Sequence, residues 1–149
     1  MAANFLLIFF ALFGFAFSEV AQFTNCGDSD VCDINEVRIT PCKKPTMCSL
    51  KKGTTPSIAF DFTPKFSSDS ITTGLFWDSP GGEVPFSELD KANGCLYTSC
   101  PLEAGKKQEL DYSLQLSKKL PTGKYTFKWK IWTDDGKECC FRTNIELKR

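Results

Sequence analysis

The sequence contains no histidine. That removes the Ser-His and Cys-His pairs of nucleophilic catalysis and the commonest metal ligand. Net charge is missing too. Eighteen basic residues balance eighteen acidic ones, so there is no electrostatic reason to expect a nucleic-acid partner. No glycine-rich phosphate cradle occurs, and no stretch of ten or more residues has a helical period. None of the five asparagines opens an Asn-X-Ser/Thr sequon, so N-glycosylation is not available. These absences argue against an enzyme and leave neither a cofactor nor a metal to be expected.

What is present is unevenly spread. Residues 1–18 hold 15 apolar residues, and the other 131 hold 47, about 36%. Phe5 to Phe17 is an unbroken apolar or glycine run of thirteen residues, shorter than the roughly twenty needed to span a bilayer. It matches the core of a secretory signal, and Ala16-Phe17-Ser18 supplies small residues where a cleavage site needs them. The expectation is a signal peptide over 1–18 and one mature domain over 19–149. No linker or internal repeat divides it.

Export places eight cysteines in an oxidising compartment, where they imply a disulfide framework. Eight cysteines allow 105 pairings, so spacing alone does not give the connectivity. Cys42 and Cys48, like Cys95 and Cys100, enclose short loops that their own bridge could clamp. Cys139 and Cys140 are adjacent and must face opposite sides of a strand. Cys139 shares parity with Phe141, Thr143, Ile145 and Leu147, and Cys32 shares the apolar side with Ile34. Parity pairs Cys32 with Cys139 and leaves Cys26 for Cys140, with buried free thiols as the alternative.

Period-two alternation recurs through the mature chain. Ile58, Phe60 and Phe62 share one face, as do Leu110, Tyr112, Leu114 and Leu116. Tyr125, Phe127, Trp129 and Ile131 alternate with Lys124, Thr126, Lys128 and Lys130. Ile71, Thr73, Leu75 and Trp77 form a weaker strand, and Val37 with Ile39 closes an early one. Turn residues separate these runs, among them Thr133-Asp134-Asp135-Gly136. Asp134 and Asp135 therefore read as turn residues, not a catalytic pair, and Asp28 and Asp30 as loop residues. The fold class is an all-β antiparallel sandwich.

Basic pairs at Lys43-Lys44, Lys51-Lys52, Lys106-Lys107 and Lys118-Lys119, with Lys124, Lys128 and Lys130, have two readings. They form a solvated outer face, or they meet a membrane surface or a receptor. The aromatics Phe60, Phe62, Trp77, Phe86, Tyr112, Tyr125, Phe127 and Trp129 lie largely inward by parity. They either fill an ordinary core or wall a cavity between the sheets.

The order of these features resembles the ML lipid-recognition family, with Niemann-Pick type C2 proteins and mite group-two allergens among its members. The matching pieces are Asn25-Cys26-Gly27, Pro41-Cys42 to Cys48, Lys52-Gly53, Val84-Pro85-Phe86, Gly94-Cys95 to Cys100-Pro101, Leu120-Pro121, Asp134-Asp135-Gly136 and Cys140. The resemblance implies an immunoglobulin-like sandwich of two antiparallel sheets with an internal lipid cavity. It implies bridges Cys26–Cys140, Cys42–Cys48 and Cys95–Cys100, leaving Cys32–Cys139 to the parity argument as a fourth. The family's pocket positions fall on Phe86, Leu116 and Leu120. With Phe60, Phe62, Trp77, Tyr112, Phe127 and Trp129 these make the expected lipid-binding set.

The function expected is a secreted, monomeric, non-enzymatic carrier for one small hydrophobic ligand, a fatty acid, sterol or semiochemical. Absence of sequons favours an extracellular over a lysosomal destination. The other reading is an adaptor that presents a lipid to a receptor in innate immunity, and a third is a solid-cored sandwich without a ligand.

Overall fold

The computed structural model describes residues 19–149, so the expected export segment 1–18 lies outside the described residues. Eleven strands follow in chain order: β1 Val20–Ala21, β2 Thr24–Asn25, β3 Cys32–Thr40, β4 Cys48–Lys51, β5 Ser57–Pro64 and β6 Thr72–Ser79. Then come β7 Gly82–Pro85, β8 Ala92–Asn93, β9 Gln108–Ser113, β10 Gly123–Trp132 and β11 Glu138–Lys148. Two single-turn 3-10 segments, Ser87–Leu89 and Gly94–Leu96, interrupt them. The first sheet is ordered β1-β3-β5-β9, all antiparallel. The second is ordered β2-β11-β10-β6-β7, with β4 joining β11 in parallel and β8 joining β6.

Alternation explains both inner faces. Ile58, Phe60 and Phe62 point inward from β5, and Phe127, Trp129 and Ile131 from β10; all are essentially inaccessible. β3 behaves differently. Its inward residues are Cys32 and Ile34, then Val37 and Ile39, a change of parity within one strand. The cause is a bulge: Ile34 opposes Phe62 while Glu36 opposes Asp61, leaving Asn35 as the extra residue. Without that insertion, Val37 and Ile39 would face solvent. The early alternating run therefore belongs to one bent strand.

All eight cysteines are paired. Cys32–Cys139 ties β3 to β11, joining the two sheets from within. Cys26–Cys140 closes over the opposite face of β11, beside β2. Cys42–Cys48 clamps the approach to β4, and Cys95–Cys100 clamps the loop after β8. The hairpin between β10 and β11 turns at Asp134 and Asp135, and Gly136 takes φ 86° to close it. Asp135 accepts the Thr133 hydroxyl and pairs with Lys137 at 3.3 Å, so its carboxylate is used within the turn.

Two ion clusters cover the outer faces. Arg38 on β3 meets Glu36 at 2.7 Å, Asp61 at 2.8 Å, and Glu109. On the second sheet, Glu83 of β7 takes both Lys128 and Lys130 of β10. Those two lysines lie on a covered outer face, held by a neighbouring strand.

Candidate functional site

The aromatics from the two inner faces gather in two groups. The first sits where β6 and β7 end and β10 begins. Register places Phe127 opposite Trp77, and Trp77 opposite Val84. Beyond Val84 and Pro85, the Phe86 N–H donates to the Leu75 carbonyl at 2.9 Å, which turns the chain inward. The Phe86 ring lies 5.1 Å from Trp77 and 5.2 Å from Phe127, and Tyr125 lies 4.4 Å from Trp77. Edge-to-face and tilted contacts at these separations are favourable for rings.

The second group occupies the middle of the sandwich. Phe60 lies 5.5 Å from Trp129 and 5.8 Å from Phe62, and Tyr112 lies 5.8 Å from Trp129. Phe141 completes it, 4.9 Å from Phe60 and nearly parallel to Trp129. Two buried polar groups meet here, and both are satisfied. The Trp129 indole N–H donates to the Thr73 hydroxyl at 2.8 Å, and that hydroxyl donates to the Lys130 carbonyl at 2.9 Å.

Leu116 and Leu120 come from the 114–122 segment, which continues from β9. Leu114 and Leu116 keep the alternation of β9 but leave its ladder; their N–H groups donate to Pro56 and Thr54 carbonyls at 2.9 and 3.0 Å. Leu116 is buried, and its carbonyl accepts from Gly53. Gly53 has φ 76°, and a Cβ there would lie 2.8 Å from the Lys118 side chain, so glycine lets the lysine stem close over the loop. Leu120 is half-buried against the core. Tyr125 pins this segment by donating its hydroxyl to the Pro121 carbonyl at 2.9 Å. A cleft of about 290 Å³ opens beside Leu116, lined also by Gly53, Thr54, Glu88 and Lys118.

Phe86, Trp77 and Phe127 are thus in direct contact, as are Phe60, Phe62, Trp129 and Tyr112 through the second group. Phe141 was not among the expected site residues, although it shares inward parity with Cys139 and Ile145. Tyr125, inward by parity but outside the expected lipid-binding set, joins the first group through Trp77. Both ring groups pack between the two sheets.

The chemistry here is apolar. Burial pushes the Tyr112 hydroxyl above its ordinary pKa, assisted by Tyr97 and Glu88 nearby, so it stays neutral. Among the described residues no group of three or more His, Cys, Asp or Glu side chains converges as a metal site would. The lining can take an apolar surface out of water and offer a few backbone and hydroxyl groups at its ends.

Comparison with known proteins gives the same picture. The family model described as the ML domain matches residues 20–147. The chain is 44% identical to an MD-2-related lipid-recognition protein of Manduca sexta over the whole of both chains. It is 27% identical to an NPC intracellular cholesterol transporter 2 homolog of Drosophila melanogaster, covering 80% of this chain and 82% of that one. The crystal structure of a Niemann-Pick type C2 protein from the Japanese carpenter ant superposes with a TM-score of 0.76 at 20% identity, over 85% of this chain and 99% of the other. An antiparallel two-sheet sandwich, four bridges and a family match spanning the described chain lead to one conclusion: this protein belongs to the ML-domain family of lipid-recognition proteins.

Proposed function

We propose that the protein is a secreted, monomeric, non-enzymatic carrier that holds one hydrophobic ligand between its sheets. A fatty acid, a sterol or a lipid-like chemical signal fits this reading, with extracellular fluid as the place of action and residues 1–18 as the export signal. The observation that carries it is the ring cluster around Phe86. That side chain bridges Trp77 and Phe127, and Trp77 meets Tyr125, whose hydroxyl donates to Pro121 in the 114–122 segment. Among the described residues, none of the side chains in the buried cluster that holds these rings is charged.

Binding in such a site follows burial, about 25 cal/mol per Å² of apolar surface removed from water. Ligand choice then depends on the length and width the rings allow, and little on hydrogen bonds. A ligand between the sheets takes over contacts that the rings make with one another. Uptake therefore needs Phe86 and Trp77 to part, while the inter-sheet bridge keeps the far end closed. The polar end of an amphiphile would rest near the Pro121 and Glu88 carbonyls, where the two tyrosine hydroxyls already bind.

Displacement of a fluorescent fatty acid and a fluorescent sterol tests this. Phe86→Ala and Leu116→Ala should each weaken the preferred probe about tenfold, which is about 1.4 kcal/mol. Thermal melting should show both variants folded. Wild-type affinity in both variants would remove the site from this end of the sandwich.

A further inference from the structure

The outer face of the second sheet carries two aromatics where alternation calls for polar residues. Phe76 on β6 and Trp132 at the end of β10 both point away from the core and remain half exposed. Their rings lie 6.5 Å apart with a 43° tilt, over Gly74. A Cβ at Gly74 would come within 3.0 Å of the Phe76 ring and 3.3 Å of the Trp132 ring, so the missing side chain lets both rings lie down on the sheet. Phe76 makes the closer contact with the glycine, and Trp132 touches it only through the edge of its indole.

Trp132 also lines two clefts. One, about 290 Å³, is lined by Phe76, Glu83, Lys91, Lys130 and Glu138 with Trp132. The other, about 340 Å³, also has Trp132 in its wall and includes Ile71, Thr72, Asn93 and Asp134. Lys91 lines both, and it is the only non-glycine among the described residues with a left-handed backbone, at φ 51°. Held backbone strain of this kind concentrates where a side chain must be presented at a fixed place. None of these residues belongs to the inward ring groups.

We propose that the paired clefts around Trp132 bind a neutral saccharide, one pyranose ring stacking on the indole and its neighbour entering the second cleft. The rim decides the class. Lys91 and Lys130 face Glu83 and Glu138, so the first cleft is balanced in charge and attracts neither an anion nor a cation. Lys130 already stands 4.9 Å from the Phe76 ring centre and 2.8 Å from Glu83, which occupies that ring's place for a cation. What remains is an aromatic surface for C–H groups, ringed by ammonium donors and carboxylate acceptors that suit neutral hydroxyls. Lys128 and Lys130 hold the Glu83 carboxyl below its ordinary range, which keeps it an acceptor.

Titration of the full-length mature protein with laminarihexaose and cellohexaose, followed by the Trp132 indole N–H and Gly136 amide resonances, tests the site. Millimolar sugar should shift both signals. Trp132→Ala should weaken that binding at least tenfold, with melting temperature and lipid-probe binding unchanged, and Trp132→Phe should retain part of it. Several results would overturn the proposal: no shift with either sugar, shifts that persist in Trp132→Ala, or stronger binding of a sulfated oligosaccharide. Protection of Trp132 by self-association in sedimentation would also overturn it, because a second copy would then be the occupant.

Discussion

Cys32 and Cys139 join the two sheets with their Cα atoms 5.3 Å apart, and the next residue along β11, Cys140, holds Cys26 on the opposite face. The two bridges close nearly the same loop, with sequence separations of 107 and 114. Either one alone therefore removes most of the chain entropy that both remove. Replacing one pair by serine should cost about 2 kcal/mol, because only the short stretch between 26 and 32 is released, whereas replacing both should cost about 7. Denaturant titration of the two double variants and the quadruple variant checks this through their coupling. Simple additivity would show that the bridges act independently.

The Trp129 indole N–H donates to the Thr73 hydroxyl in a buried side-chain pair within the second sheet. Thr73→Val keeps the shape and strands the indole N–H in the core. It should lower stability by about 1–3 kcal/mol, the cost of an unsatisfied buried donor. Thr73→Ser should lose less, since the hydroxyl remains. Equilibrium unfolding of the two variants makes the comparison.

Stability should be flat between pH 5 and 8, because the chain has no histidine to titrate there. Acid is another matter. Arg38 holds the Asp61 carboxyl below its ordinary 3.8, chiefly by hydrogen bonding. A folded-state pKa below the unfolded one gives stability that is present above the unfolded value and lost as pH falls through the folded value. Loss should begin below about pH 4 and continue downward, with Glu83 contributing in the same sense through Lys128 and Lys130. Asp61→Asn should be less stable at neutral pH and less sensitive to acid. Melting temperatures from pH 2 to 8 would show the two curves converging at the acid end.

Much of the sandwich was legible because β5, β10 and β11 alternate cleanly, with Phe60, Trp129 and Phe141 each two residues from another inward side chain. The parity of Cys32 and Cys139 was legible for the same reason. The bulge at Asn35 was not, since no residue there marks an insertion and only the pairing with β5 exposes it. The end of β9 at Ser113 was hidden as well: Leu114 and Leu116 keep period two while their hydrogen bonds pass from the ladder to the Pro56 and Thr54 carbonyls. Lys128 and Lys130 looked free because Glu83, their partner, lies far away in sequence. Division of the aromatics into two groups depends on strand order, which alternation does not encode. Phe141, read only as one apolar residue on its strand, fell to the centre of the second group for that reason.

Native mass spectrometry of the protein, before and after exposure to a mixed panel of fatty acids and sterols, shows whether it holds one hydrophobic ligand. A single added mass at one-to-one stoichiometry is expected, lost or greatly reduced in Phe86→Ala. Protein that emerges ligand-free and takes up no member of the panel would contradict it.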